Sequence, residues 1–277
     1  MKIGVVVNGY YKSEAYGRQV ERICEELVKR GAEAVVYPND KGTSETNFPF
    51  ERAFFFDKDV ALARMMEKKG VRIVNCADAI EKADDKGRTF VELCGEVKQQ
   101  ETVIRPKRYF YEKDEIFLNE TAKKLGFPLV AKEAKGSLGE QVYLINNIEE
   151  LYSADEKFGL KDALYQKFRE ESKGKSLRVL CVGGKAIGAI KLENKNDFRS
   201  NAAEGGKGKA ENIGEEFVKV AEKAAETIGA EYCGVDLFCD SPIVIEVNTN
   251  AFFEEFERVT GINVAAKCVE YILRTQE

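Results

Sequence analysis

Gly234-Val235-Asp236-Leu237-Phe238 and Ile243-Val244-Ile245-Glu246-Val247-Asn248 are two short, mostly apolar runs close together in the chain. They read as the two strands of a hairpin. Glu246 interrupts the second run, and an unpaired carboxylate is costly to bury in a strand. Glu246 and Asn248 are two residues apart, so they share one sheet face. A five-residue connection, 239–243, sets Asp236 opposite Glu246, whereas a four-residue connection would put the two on opposite faces. In the first register three oxygen donors converge. Such a set suits magnesium, which takes carboxylate and carbonyl oxygens together with substrate phosphates. An isolated Glu-x-Asn would read as a solvated face or half of a salt bridge. Asp236 one strand away turns the reading towards a bound ion.

Composition sets the frame around this hairpin. A chain of 277 residues suits two lobes rather than one small module. With 44% hydrophobic and 33% charged residues it has enough apolar content for real cores. The net charge of −5 includes no dominant Lys or Arg cluster, which argues against generic binding to nucleic acid or anionic membranes. No apolar run reaches membrane-spanning length, and residues 3–7 are too short for a signal-peptide core, so a cytoplasmic location is expected. The chain has no histidine. That excludes Ser-His-Asp and Cys-His catalysis, His-ligated zinc and a histidine proton shuttle. Its seven cysteines include no C-x-x-C pair and read as reduced, mostly buried thiols. Chemistry is left to carboxylates, Lys, Arg, backbone amides or a bound ion.

Outward from the hairpin, the chain changes character twice. Residues 1–75 alternate strand and helix patterns: Ile3 to Val7, then Val20, Ile23 and Leu27 at helical spacing, then Ala34 to Tyr37. A second such unit follows, with Ala53 to Phe56, Leu62 and Met66, and Val71 to Val74. This predicts a small parallel sheet with helices on its faces. No G-x-G-x-x-G follows the first strand, which disfavours nicotinamide binding there. Asp85-Lys86 opens a helix, and another runs from about Asp114 to Leu125, closed by Gly126. Two strands, residues 128–132 and 142–145, flank a glycine-bearing loop. Residues 166–277 read as antiparallel sheet plus helices. Gly183-Gly184 forms a hairpin turn, and a helix through Phe217, Val220, Ala224 and Ile228 lies between Gly214 and Gly229. Residues 197–208 form the richest loop.

Two further constellations carry chemistry. Lys132 ends a strand just before Gly136-Ser137-Leu138-Gly139, and a lysine beside free backbone N–H groups suits phosphate oxygens. Taken alone, this is also what an ordinary hairpin turn looks like. It is not a P-loop, because G-x-x-x-x-G-K-[ST] is absent. Arg178 and Arg199-Ser200-Asn201 offer planar donor forks and an amide suited to phosphate or carboxylate, or else a plain surface loop. Lys86 is the weakest of these signals alone, since most lysines are solvated.

Together these segments resemble the ATP-grasp superfamily, specifically RimK-type carboxylate–amine (alpha-L-glutamate) ligases. The matching pieces are Asp85-Lys86, Pro128-Leu129-Val130-Ala131-Lys132 with the 136–139 loop, Asp197-Phe198-Arg199-Ser200-Asn201, Gly234-Val235-Asp236 and Ile245-Glu246-Val247-Asn248. Thr260-Gly261-Ile262-Asn263-Val264-Ala265 and the following helix resemble the family's C-terminal end. The resemblance covers roughly residue 75 onward. It implies an N-terminal α/β domain over 1–84, a central subdomain over 85–165 and a C-terminal subdomain over 166–277, the last two forming a two-lobed module of antiparallel sheets. It further implies that Lys86 and Lys132 bind ATP phosphates, that Gly136, Ser137 and Gly139 close over them, and that Gln166, Lys167 and Phe168 read adenine. Ser176 falls at the ribose position, and Asn201 joins the nucleotide side. Asp236, Glu246 and Asn248 would hold magnesium, with manganese as the alternative. Arg199 would face the acyl phosphate, with Arg178 nearby on a substrate carboxylate.

The implied reaction joins a carboxylate to an amine through an acyl phosphate, with glutamate, another amino acid or a peptide as substrate and no nucleic-acid or membrane partner. Two departures stand out. Lys167 replaces the usual Glu and Ser176 an expected acidic residue, while Thr249-Asn250-Ala251-Phe252-Phe253 replaces Ser-Pro-Gly after Asn248. The altered loop motivates two alternatives on the same fold, a non-catalytic or regulatory ATP-binding protein and a peptide-modifying ligase. The Phe-rich segments 54–56 and 252–253 suit core or a contact between copies, which leaves a homo-oligomer open. Core is the preferred reading for 54–56.

Overall fold

The computed structural model describes residues 1–42, 47–136, 139, 141–200 and 207–274. Three sheets carry the architecture. The first is built from β1 (Lys2–Val7), α1 (Glu14–Lys29), β2 (Glu33–Pro38), a one-turn α2 (Asn39–Gly42), β3 (Arg52–Phe56), α3 (Val60–Lys68) and β4 (Arg72–Val74). Its strands are parallel in the order β2-β1-β3-β4. Both faces are covered, as a parallel sheet requires. Ile3, Val5, Phe54 and Phe56 pack under Ile23 and Leu27 of α1, while Val6, Phe55 and Ile73 pack under Leu62 and Met66 of α3. Ser13 caps α1 by accepting from Tyr16 N at 3.2 Å.

The second region runs through α4 (Ala77–Asp84), α5 (Lys86–Glu92), β5 (Thr102–Ile104), α6 (Glu115–Leu125), β6 (Leu129–Glu133), β7 (Val142–Ile145), α7 (Ile148–Phe158) and β8 (Ala163–Lys167). Its antiparallel sheet has the order β5-β8-β6-β7. Leu118 and Leu125 of α6 and Leu151 and Phe158 of α7 cover one face. The expected division at 165/166 falls inside β8, whose last two residues pair with β5 and β6.

The third region contains β9 (Lys175–Val182), β10 (Lys185–Glu193), β11 (Lys207–Ala210), α8 (Glu215–Ile228), β12 (Tyr232–Leu237), β13 (Val244–Asn248), α9 (Glu254–Thr260) and α10 (Val264–Arg274). Its strands pair antiparallel in the order β11-β10-β9-β12-β13. Gly183 and Gly184 both take positive φ, 61° and 71°, in the two-residue turn between β9 and β10, as that hairpin geometry requires. The loop expected over 197–208 ends earlier than the sequence suggests, because Lys207 and Gly208 already pair with β10.

One face of this third sheet packs Val179, Cys233 and Val235 against Ala221, Ala224 and Ile228 of α8, with Ala79 of α4 and Leu93 just after α5. The other face is divided. Leu180, Val182, Ile190 and Tyr232 join Ile3, Val5 and Phe56 of the first sheet and Val269 and Ile272 of α10 in a single core. The first region is therefore fused to the third through shared apolar packing. Phe253, 1% exposed, belongs to this core, as do Phe54 and Phe56. Among the described residues, no helix is long and apolar enough to cross a membrane.

Candidate active site

The apolar face of the third sheet turns charged at one end. Arg178, Asp236 and Glu246 are register partners across β9, β12 and β13, so they form one row on one face. The Asp236–Glu246 pairing is the one the five-residue connection would give, although the structure reaches it through a shorter connection and a bulge. A bulge between Asp236 and Leu237 shifts the register near the turn, and the strands close over residues 238–243 with Phe238 N donating to Ile243 O at 3.2 Å. Arg178 donates from Nε and Nη2 to the two Asp236 carboxylate oxygens, both at 2.8 Å. Gly234 makes room for this fork. A Cβ there would lie 2.9 Å from the Ala251 Cβ and 3.3 Å from the Arg178 Cδ.

Two lysines come from the second region. Asp85 caps α5 by accepting from Arg88 N at 3.0 Å, which places Lys86 at the helix start. Its Nζ donates to Gly136 O at 3.0 Å. Lys132 sits on β6 between Val142 and Leu164. Burial pulls its amine down to about 8; Glu246 opposes that shift and Lys86 adds to it. Burial alone would raise Glu246, but the charges of Lys86, Lys132, Arg178 and Lys58 hold it below the usual glutamate range. Burial pushes Asp236 above the ordinary aspartate range, against its pairing with Arg178 and with a further contribution from Glu246. Among the described residues, no cluster of three or more acidic, cysteine or histidine side chains assembles.

These groups share a cleft of about 1060 Å³, mouth included, between the second and third sheets. Lys86, Lys132, Gly136 and Gly139 line one side, and Asp236 and Glu246 lie across it. Gln166, Lys167, Phe168, Ser176 and Arg199 complete the expected lining. Lys167 N donates to Glu101 O at 3.0 Å, and its carbonyl accepts from Gln100 Nε2, so both its backbone groups are engaged. Ser176 is buried and shares a 2.6 Å hydrogen bond with Ser200. Arg199 is gripped by Asp197 through Nε and Nη2, both at 2.9 Å, and donates from Nη1 to Gly139 O. That last bond ties the third region to the glycine loop.

Two expected residues do not line the cleft. Arg178 stands behind Asp236. Asn248 shares the charged face, but its Oδ1 accepts from Asn250 N at 2.9 Å. Ser137 and Asn201 lie outside the described residues. Beside the expected Phe168, the cleft takes in residues that sequence reasoning missed. Phe198 meets Phe168 edge-on with centroids 6.3 Å apart, and Phe238 lies under Arg169 at 4.9 Å. With Val130 and Ile245 they give one end an apolar, aromatic wall. Phe198 lies inside the Asp197-Phe198-Arg199-Ser200-Asn201 segment, and Phe168 and Phe238 each directly follow a strand (β8 and β12), so their positions were readable. Gln100 had no local signal.

Residues 83–272 match the family model described as a RimK-like ATP-grasp domain. An uncharacterised protein of Mycoplasma genitalium is 31% identical over 240 residues, covering 83% of each chain. A probable alpha-L-glutamate ligase of Legionella pneumophila is 31% identical over 217 residues, covering 76% of this chain and 70% of its own. Among solved structures, a D-alanine–D-alanine ligase of Bacillus anthracis superposes with a TM-score of 0.75 at 18% identity, covering 99% of this chain and 97% of its own. At that identity the likeness is one of fold.

Proposed function

The chain belongs to the RimK-like ATP-grasp family and is an ATP-dependent carboxylate–amine ligase, and within that class we propose that it works on glutamate or a related amino acid in the cleft between its second and third sheets. One observation carries the placement. Two lysines and a cross-strand pair of carboxylates line a single cleft that also has an aromatic end. The aromatic end suits a base, the lysines suit phosphates, and the carboxylates suit a divalent ion.

The donor chemistry fits magnesium or manganese. Glu246 makes no hydrogen bond or ion pair to any described residue, although its charge is favoured by four cations. Each Asp236 oxygen accepts one bond from Arg178 and keeps a lone pair. Asp236 and Glu246 would hold the ion, which when bound supplies charge neutralisation to the phosphates. Asn248 would join them by giving up its bond to Asn250 N.

In this reading Lys86 and Lys132 bind phosphate oxygens and the 136–139 loop excludes water. Gly136 lies against the side chain of Gln141, whose Oε1 would stand 2.5 Å from an added Cβ and would have to swing aside. Among the described residues neither backbone group of Phe168 makes a hydrogen bond, so it can meet the adenine edge. Arg199 is held where it can orient the acyl phosphate formed when the substrate carboxylate takes the terminal phosphoryl group. An amine then displaces phosphate to give the amide. No enzyme nucleophile is required, in keeping with a histidine-free chain. The same reading places the protein in the cytoplasm.

The test is ADP release with magnesium across a panel of amino acids and peptides, with products identified by mass spectrometry. Stimulated ADP release with a new amide is the expected result. A panel in which no carboxylate and amine stimulate it would contradict the proposal.

A further inference from the structure

Two amide side chains, Gln100 and Gln166, line the cleft beside its aromatic wall and are 7% and 9% exposed. Gln100 comes from the segment between α5 and β5, which is tied on both sides. Val244 N of β13 donates to Lys98 O at 3.1 Å, and Lys167 N of β8 donates to Glu101 O at 3.0 Å. Gln99 Nε2 adds a bond to Phe90 O at 2.9 Å. Gln100 is therefore held between the second and third sheets. Gln166 stands on β8 as the register partner of Thr102 on β5 and of Val130 on β6, so the three share one sheet face.

Hydrogen bonds fix which end of each amide is which. Gln100 Nε2 donates to Lys167 O, a group that can only accept. The Thr102 hydroxyl spends its proton on Gln100 O at 2.8 Å, so it must accept from Gln166 Nε2, at 3.0 Å. The polar atom each glutamine has left is its Oε1, and neither oxygen accepts a hydrogen bond from a described residue. Both residues also line a smaller cavity of about 420 Å³, mouth included. That cavity shares Lys86, Lys132, Ile245 and Glu246 with the cleft, so the glutamines sit at the neck between the two. Amide oxygens in such buried residues call for a donor. The same neck adjoins Phe168, at the end of the cleft that suits a base. Adenine carries a 6-amino group with two N–H donors. A 6-oxo purine would bring an acceptor against two acceptors, which is strongly disfavoured in a site built for a donor.

We propose that Gln100 selects adenine, its Oε1 and that of Gln166 receiving the two protons of the 6-amino group. The assignment rests on the nucleotide cleft of the ligase reading. It goes further by giving base selectivity to a side chain outside β8, on a segment with no motif. Gln100 touches the base and takes no part in bond making.

The experiment is calorimetric titration of the intact protein, in Mg²⁺, with ADP and with inosine diphosphate, its 6-oxo counterpart. ADP should bind at least about tenfold tighter, the scale of one unmatched buried hydrogen-bonding group. Gln100→Met keeps the length and removes the amide, and it should cut that ratio about fivefold or more, chiefly by weakening ADP. A residue that only held Lys167 in place would weaken both nucleotides alike and leave the ratio unchanged. Gln166→Met leaves the bond from Gln100 to Lys167 O intact and should cut the ratio as well, so it tests the assignment even where Gln100→Met fails to fold. A smaller wild-type preference, or either folded variant keeping the wild-type ratio, overturns the assignment. Tight ADP binding with that outcome sinks the role of Gln100 alone. A wild-type protein that binds neither nucleotide sinks the ligase reading and this assignment with it.

Discussion

Arg178 grips Asp236 with two 2.8 Å hydrogen bonds from the neighbouring strand, while Glu246 flanks the same aspartate on the other side. The row alternates cation, anion, anion across three strands. Its middle member is fixed by protein, and its last member is left facing the lysines of the cleft. Removing Arg178 would leave Asp236 buried beside a like charge. Arg178→Met should therefore destabilise the ligand-free protein by roughly 3–5 kcal/mol, the scale for breaking a buried pair. Urea unfolding measures this, and an unchanged midpoint would mean the pair is not buried in solution.

Gly234→Ala tests the same row sterically. The added methyl would collide with Ala251 and crowd the Arg178 side chain. The expected cost is about 1–3 kcal/mol, with weaker nucleotide binding by calorimetry, because Asp236 loses its fixed orientation.

Arg199 holds Gly139 O as well as Asp197, so it serves both the reacting groups and the loop. Arg199→Ala should lower kcat by about 100-fold or more, on the scale of losing one preorganised charge-stabilising group, with KM for ATP changed only a few-fold. Steady-state ADP release gives both numbers.

The Lys132 amine should titrate near 8 in the nucleotide-free protein, below the ordinary lysine value of 10.5. Protonating it in the folded cleft is unfavourable. Its destabilising effect is complete below pH 8 and is relieved as pH rises from about 8 towards 10.5. Acylation of Lys132, followed by peptide mass spectrometry, should show a midpoint near pH 8. ATP with Mg²⁺ should suppress the reaction.

Glu26 sets an acid-side dependence. Burial would raise it, but hydrogen bonds from Asn263, Lys29 and Arg30 pull it to about 2, from an ordinary 4.5. Because the folded value is the lower one, the stability it contributes is complete above about pH 4.5 and is lost as pH falls towards 2. Glu26→Gln should flatten that part of the stability–pH curve, measured by denaturant unfolding at each pH.

The hairpin that decides the fold was legible because strand periodicity is local. Connection length left two registers open, and a bulge between Asp236 and Leu237, which no local pattern announces, is what sets Asp236 opposite Glu246. The helix starting at Lys86 and the glycine turn at 183–184 were legible because their signals are local as well. What escaped depends on pairings far apart in sequence. Arg178 reads as a substrate-facing arginine until β9 is seen beside β12, where it becomes the partner of Asp236. Lys58 carries no motif, and its charge acts on Glu246 because α10 and the third sheet share a core with the first sheet. The 249–253 loop, which departs from the family pattern, has a packing reason: Ala251 and Phe253 are buried in that shared core.

The most direct test is anomalous diffraction from crystals grown with ADP and Mn²⁺. The account predicts one manganese peak within coordination distance of the Asp236 and Glu246 carboxylates, with the diphosphate directed at Lys86 and Lys132. Manganese bound elsewhere, or a nucleotide lying outside the cleft between the second and third sheets, would contradict it.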